Sequence, residues 1–365
     1  MDHRGRQQHL RDSLSAQRLD ALLVTHLPNI LYLCGFTGSG GVLLVTEARN
    51  VLFTDGRYTA QARAEVKAAQ VIIARKPPLA AAAEWLDAHR KGRRGASPFR
   101  IGIEGEHLTV AARTRLAAVL PPNFRLRGAP ALIERARMVK DGEEIERIRA
   151  AVILGSRLFD RALEVVRPGI RETEVAAEME YAARKAGAEE MSFPTIIASG
   201  KRSALPHGRA SGAAVPAQGF VVCDFGVILT RYCSDMTRTV YVGRPSAGAR
   251  RVYQAVQEAQ QAAVDAVRPG VSVGEVDRIA RKSLRNSGLE KYFTHSTGHG
   301  VGLEIHEAPR VAAGQTEILQ PGMVITIEPG VYVPGKWGAR IEDMVVVTER
   351  GCEVLTPTSK ELVTI

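Results

Sequence analysis

The sequence has no run approaching the roughly 20 consecutive apolar residues that a membrane-spanning helix needs. Its opening, Met-Asp-His-Arg-Gly-Arg-Gln-Gln, has neither the apolar centre nor the small-residue cleavage site of a secretory leader. Cysteine is scarce: Cys34, Cys223, Cys233 and Cys352 are scattered and match neither a disulfide framework nor a zinc-ligand spacing. These absences argue against secretion, membrane insertion and disulfide stapling, and a reducing cytoplasm is the expected home. What is present can build cores, since 45% of residues are hydrophobic and 24% charged, which excludes a disordered chain. A length of 365 residues exceeds the usual single core and predicts two domains.

The formal charge of +10 at pH 7 is unevenly placed. Residues 1–135 carry a net +9 and residues 136–365 only +1, with the basic excess densest at Arg90, Lys91, Arg93 and Arg94. Such a run can contact phosphate. No stacked aromatics or recognition-helix signature accompany it, so it reads as a solvated helix end, and a nucleic-acid partner is not expected.

The first 130 or so residues alternate short apolar runs with helical composition. Asp20–Thr25, Gly41–Thr46, Asn50–Thr54, Gln70–Ala74 and Arg100–Ile103 read as strands; His9–Gln17, Arg57–Val66, Ala80–His89 and Leu108–Val119 read as helices. That alternation predicts an α/β domain. The loop Gly35-Phe36-Thr37-Gly38-Ser39-Gly40-Gly41 lacks the spacing and trailing Lys of a phosphate-binding loop. It reads first as a plain connecting loop, and alternatively as a flexible segment whose glycines let it approach the cleft of its own subunit or of a partner. A boundary is expected near Glu134–Gly142, before a helical pattern from Glu143.

Downstream lies an internal repeat. Val166-Arg167-Pro168-Gly169-Ile170, Glu174-Val175 and Gly187-Ala188-Glu189 recur as Val267-Arg268-Pro269-Gly270-Val271, Glu275-Val276 and Gly288-Leu289-Glu290, each offset by 101 residues. Pro-Gly stops one helix and the Glu-rich turn starts the next, after which each copy becomes strand-rich. The spacing is too long for a solenoid unit. It predicts two related half-domains with a cleft between them.

Each half then carries a pair of carboxylates on a hairpin. In Gly219–Val227 and Arg231–Val242, a turn between Leu229 and Thr230 would set Asp224 opposite Asp235. In Met323–Val333 and the return strand Ala339–Val347, Glu328 and Glu342 are symmetric about Gly335. Acids facing one another inside apolar strands repel, and a bound cation resolves the conflict. Four carboxylates favour two divalent ions about 3.5–4 Å apart. His207, His295, His299 and His306 are candidate imidazole partners, and the glycines around His299 allow close backbone approach.

With intervals of 11, 64, 29 and 14 residues, Asp224, Asp235, His299, Glu328 and Glu342 resemble the five ligands of the dinuclear "pita-bread" metallopeptidases. The resemblance covers the whole chain and implies an α+β protein. Residues 1–134 would form an α/β domain of creatinase/prolidase type, used for substrate restriction and oligomerisation. Residues 137–365 would form the pita-bread catalytic domain with an internal pseudo-twofold repeat. It is nearest the Xaa-Pro branch, and GFTGSGG and TDGRY are similar to small bacterial Xaa-Pro aminopeptidases, so N-terminal Xaa-Pro cleavage of longer peptides is expected, with an Xaa-Pro dipeptidase as the alternative.

By the same resemblance, Asp224 binds one metal, His299 and Glu328 the other, and Asp235 and Glu342 bridge. Glu328 also moves the proton from an activated water towards the prolyl nitrogen. His207 and His306 match catalytic and substrate-contacting histidines; Arg310 and Arg340 match positions near a substrate carboxylate. The oxygen-rich donors suit Mn²⁺, with Co²⁺, Fe²⁺ or Zn²⁺ as alternatives. A homodimer acting on peptides with proline second, without membrane or nucleic acid, completes the expectation. A protein- or RNA-binding module on the same fold, or a metal-free creatinase-like hydrolase, would be expected to have lost ligands that this chain keeps.

Overall fold

A computed structural model describes residues 1–90 and 98–365, so Lys91, Arg93 and Arg94 of the basic run lie outside the described residues. The chain divides into two compact units, Met1–Arg137 and Met138–Ile365.

The first unit is built from α1 (His3–Ala16), β1 (Ala21–Val24), α2 (Leu27–Cys34), β2 (Val42–Thr46), β3 (Asn50–Asp55), α3 (Thr59–Glu65), β4 (Gln70–Ala74), α4 (Pro78–Arg90), β5 (Phe99–Glu104), α5 (Val110–Val119), β6 (Phe124–Ala129) and α6 (Leu132–Met138). Its strands form one mixed sheet in the order β4-β3-β2-β1-β5-β6. Leu23, Leu44, Phe53, Ile101 and Ile103 of the sheet are buried with Ala82, Leu86 and Leu116 of α4 and α5.

Among the elements that depart from the sequence reading are α1, α2 and β6. Helix α1 begins at His3, because the Asp2 carboxylate accepts from the Gly5 N–H and caps it. Helix α2 was hidden by Pro28, which sits in the first turn where its missing N–H costs nothing, and Gly35 ends it in the left-handed region. Strand β6 was hidden because its charged residues largely face solvent. The glycine loop is also firmly tied rather than flexible. Thr37 donates to Glu65 from both its N–H and its hydroxyl (2.8 Å each), and Thr54 Oγ1 donates to the Gly40 carbonyl at 2.6 Å. A Cβ on Gly38 would press into the Phe36 and Tyr58 rings.

In the second unit α7 (Gly142–Val165) and α8 (Glu172–Lys185) precede β7 (Glu190–Met191), β8 (Ile196–Ser199), β9 (Gly219–Phe225), β10 (Val227–Leu229), β11 (Tyr232–Cys233) and β12 (Met236–Val242). Then α9 (Ala247–Ala266) and α10 (Val273–Asn286) precede β13 (Gly298–Gly300), β14 (Glu307–Val311), β15 (Val324–Ile327), β16 (Gly330–Val333), β17 (Trp337–Arg340), β18 (Asp343–Val347) and β19 (Cys352–Val354). The repeat is structural. Helices α8 and α10 start and stop 101 residues apart, and Gly169 and Gly270 adopt φ of 84° and 85° at equivalent turns. The halves keep separate cores: one packs Leu158, Met179, Val221 and Phe225, the other Val276, Leu319, Ile325 and Val345.

The hairpins show why carboxylates sit where they do. The first turns at Thr230-Arg231, both with positive φ (47° and 73°), one residue later than expected. Asp224 therefore pairs with Thr237, not Asp235. A turn displaced by one residue moves the register by two, so Asp235 becomes a diagonal neighbour on the same face. The second hairpin keeps the expected symmetry about Gly335, with Gly330 opposite Arg340 and Ile327 opposite Asp343. Its long strands are each broken, however, at Glu328-Pro329 and at Ile341-Glu342. Pro329 has no N–H to donate to a ladder. The Glu328 N–H turns instead to the Thr297 carbonyl (2.7 Å) and the Glu342 N–H to the Thr237 carbonyl (3.1 Å).

Candidate metal centre

Asp224 is the penultimate residue of β9, Asp235 precedes β12, Glu328 follows β15 and Glu342 precedes β18. Asp224, Asp235 and Glu342 are buried, at 7%, 5% and 2% exposure. His299 comes from the short β13, squeezed between two neighbours. A Cβ on Gly298 would stand 1.9 Å from the Thr326 carbonyl oxygen, and one on Gly300 would stand 2.2 Å from that of Ala308. Only glycine fits on either side of this histidine.

The His299 ring is oriented for coordination. Nδ1 lies 3.0 Å from the Gly300 carbonyl, so Nδ1 carries the proton and the Nε2 lone pair points away. Nε2 faces Asp235 Oδ2 at 3.6 Å and Glu328 Oε1 at 3.5 Å. Donor atoms of Asp235, His299 and Glu342 all lie within 4.8 Å of one another. These separations are too long for strong hydrogen bonds and bring acceptors together, which suits a shared cation.

Charge leads to the same conclusion. Burial, then the charges of Glu342, Asp224 and Glu328, push the Asp235 carboxyl well above its ordinary value, against the opposing pull of Arg340. Burial and then Glu328 and Asp224 do the same to Glu342. Glu328 is raised by burial to about 7, although Arg340 works in the other direction. Burial, then the positive charge of His306, lowers His299 to about 4, which keeps it neutral and able to ligate. Positive charge beyond one guanidinium is needed to keep Asp235, Glu328 and Glu342 ionised together. Oxygen donors with a single imidazole fit hard or borderline divalent ions, so the residues present suit such a centre.

The other candidates separate by burial. Arg340 is 2% exposed and heavily engaged: it donates to Asp224 through Nη2, to Tyr332 Oη (2.6 Å) and the Pro206 carbonyl (3.0 Å) through Nη1, and to Thr237 Oγ1 (3.0 Å) through Nε. Its place is inside the acid cluster. The His306 ring centroid is 4.4 Å from that of His299, and burial followed by the charge of His207 lowers its pKa. His207 is exposed. Arg310 is exposed and stands directly opposite His299 across the β13–β14 ladder. His295 hydrogen-bonds Tyr332 Oη through Nε2 at 3.0 Å, one step behind Arg340.

Thr237, Thr326 and Tyr332 were not singled out in the sequence. Thr237 donates to Glu342 Oε2 (2.8 Å), Thr326 accepts from the His299 N–H (3.1 Å), and Tyr332 bridges His295 and Arg340. The polar triplet Thr237-Arg238-Thr239 inside an apolar strand was the available signal.

Comparison with known proteins agrees with this geometry. Residues 6–139 match the creatinase/prolidase N-terminal domain. A relative from Pyrococcus horikoshii described as an Xaa-Pro dipeptidase is 36% identical over 346 residues, covering 94% of this chain and 95% of its own. The structure of an Xaa-Pro dipeptidase from Bacillus anthracis superposes with a TM-score of 0.95 at 36% identity, covering 100% of both chains. That of an X-Pro aminopeptidase from Thermotoga maritima gives 0.88 at 35% identity, covering 99% of this chain and 100% of that one. With residues 146–349 matching as well, the chain belongs to metallopeptidase family M24, as a two-domain pita-bread enzyme.

Proposed function

We propose that the chain is an Xaa-Pro dipeptidase (a prolidase) whose Asp224, Asp235, His299, Glu328 and Glu342 hold two divalent ions, preferentially Mn²⁺. The observation that carries this reading is the meeting of Asp235, Glu328 and Glu342, from two related hairpins, around one imidazole whose free nitrogen faces Asp235 and Glu328, with the Asp224 charge acting on all three acids. The dipeptidase descriptions of the Pyrococcus and Bacillus proteins move the preference away from the aminopeptidase reading drawn from GFTGSGG and TDGRY.

When bound, two such ions supply Lewis-acid polarisation of the scissile carbonyl and a water that ionises near neutral pH. Asp235 and Glu342 would help to hold both ions, Asp224 one of them, and His299 with Glu328 the other. Arg340 offsets part of the acid charge and orients Asp224. Glu328 is assigned the transfer of a proton to the prolyl nitrogen, which has no N–H in the peptide and leaves only when protonated. His306 and His207 are assigned to hold the scissile carbonyl and the substrate around it. Arg310, exposed opposite His299, offers its cation to the carboxylate that directly follows proline in a dipeptide. Four free cysteines, three of them buried, accord with a reducing cytoplasm, and a homodimer remains part of the proposal.

The deciding assay compares Xaa-Pro dipeptides with Xaa-Pro-Yaa tripeptides on Mn²⁺-loaded protein. The expected kcat/KM favours dipeptides by about tenfold or more. A tripeptide preference would restore the aminopeptidase reading, which the Thermotoga likeness also supports. No proline-bond cleavage by metal-loaded protein would overturn both.

A further inference from the structure

We infer that Arg238 and Asp343 are positioning residues that hold the two carboxylate hairpins and the C-terminal segment in register behind Glu342. The inference rests on the metal-centre reading above.

Arg238 follows Thr237 on β12 and so points to the opposite side of that strand. It is 1% exposed, and all five of its N–H groups find acceptors. Nη1 donates to the Glu342 carbonyl (2.5 Å) and the Thr237 carbonyl (3.0 Å). Nη2 donates to Asp343 Oδ1 (2.7 Å) and the Thr358 carbonyl (2.6 Å), and Nε to the Ser359 carbonyl (2.9 Å). One rigid fork therefore grips the first hairpin, the second hairpin and the C-terminal segment together. Asp343 is equally occupied, because its Oδ2 accepts from Gln260 Nε2 at 2.9 Å and pairs with Lys360 Nζ at 3.3 Å.

The grip acts on the join between the hairpins. On the near side the Thr237 hydroxyl donates to the Glu342 carboxylate, and the Glu342 N–H donates to the Thr237 carbonyl. On the far side Arg238 holds the carbonyls of both residues. The C-terminal segment is laid along β12, with Tyr241 N–H to the Val363 carbonyl and Ile365 N–H to the Tyr241 carbonyl (2.9 Å each). Neither Arg238 nor Asp343 offers a side-chain atom to the carboxylate cluster. A buried ion pair is a weak means of stabilising a fold, since apolar replacements often serve equally well. What the guanidinium adds is the fixed planar geometry that a metal centre needs from its ligands.

The test uses full-length protein and Mn²⁺ alone, followed by calorimetric titration and by melting with and without the ion. Arg238→Lys keeps the charge and loses the fork. Its affinity for Mn²⁺ should fall about 10–100-fold, and the rise in Tm on adding Mn²⁺ should shrink. With saturating metal, kcat should drop while KM for a dipeptide stays within about twofold, because neither residue touches substrate. Should Arg238→Lys fail to fold, Asp343→Asn keeps the shape and is expected to weaken Mn²⁺ in the same direction. A folded variant of either kind with a lower Tm but unchanged Mn²⁺ affinity and unchanged Tm increment would overturn the inference, leaving a purely structural role. Wild-type protein that binds no divalent ion would overturn the metal-centre reading itself, a separate result visible before any variant is made.

Discussion

At the scale of single residues, the site is decided by which atoms lack a proton. Asp235 and Glu342 offer donor atoms within 4.8 Å of each other and of His299, so Asp235→Ala or Glu342→Ala should lower bound Mn²⁺ below the wild-type stoichiometry and reduce kcat by at least about 10³-fold. Metal analysis alongside turnover checks this, and full metal content with full activity would defeat the assignment. The two neighbouring imidazoles should separate. His299→Ala is expected to lose one ion of two, whereas His306→Ala should keep both and lose about 10²–10³ in kcat.

His295 gives a prediction of a different kind. Burial first, then the charges of Arg340 and His207, lower its pKa to about 3, against an ordinary value of 6.5. The unfolded chain takes up this proton as pH falls below 6.5, and the folded chain does not until about pH 3. His295 therefore leaves stability intact above pH 6.5 and removes about 1.4 kcal/mol per pH unit as pH falls through that window. Urea midpoints at pH 7 and pH 5, taken in chelator to exclude metal loss, should differ less for His295→Gln than for wild type. Equal slopes would show that His295 titrates normally.

At the scale of elements, the turn of the first hairpin is the place where local sequence and structure disagree. Thr230 and Arg231 both adopt positive φ between β10 and β11, in a two-residue turn that favours Asn-Gly, and a β-branched Thr is poorly suited to it. Thr230→Asn with Arg231→Gly should stabilise the protein by about 1 kcal/mol, read from the urea midpoint with an unchanged slope. The variant also loses the 3.5 Å Arg231–Glu189 contact, whose Glu189 Oε2 is buried without a hydrogen-bond partner, and this offsets part of the gain. A lower midpoint would mean that the present residues are favoured by contacts the turn geometry does not capture. This displaced turn is also why the opposition of Asp224 to Asp235 was misread, whereas Gly335 marked its own turn and made the Glu328–Glu342 symmetry legible.

At the scale of the whole molecule, two units with their own cores carry very different electrostatic loads. The acid cluster belongs entirely to Met138–Ile365, so divalent ions should stabilise that unit alone. At 100 times Kd each bound ion contributes about 2.7 kcal/mol. For a unit of this size that is a Tm increase of about 5–10 °C. Scanning calorimetry with and without chelator should show one transition moving by this order and another, from Met1–Arg137, holding still. Two transitions shifting equally would contradict the assignment of the ions to the second unit.

The sequence by itself determined the repeat, the oxygen-rich donor set, the place of His299 between glycines and the family. These signals are local or periodic: Pro-Gly helix stops, positive-φ glycines and apolar strands interrupted by acids act within a few residues of themselves. Only the tertiary structure decided the diagonal placement of Asp224 and Asp235, and the breaks that turn Glu328 and Glu342 out of their ladders. It also placed Arg340 inside the acid cluster, bonded to Asp224, Thr237 and Tyr332, and gathered five acceptors around Arg238. The last two join residues more than 100 positions apart, as Arg340 and Asp224 are joined, or Arg238 and Thr358. No local propensity encodes such a meeting. It follows from how two hairpins and the C-terminal segment pack, where a buried guanidinium must find every one of its acceptors or pay heavily for desolvation.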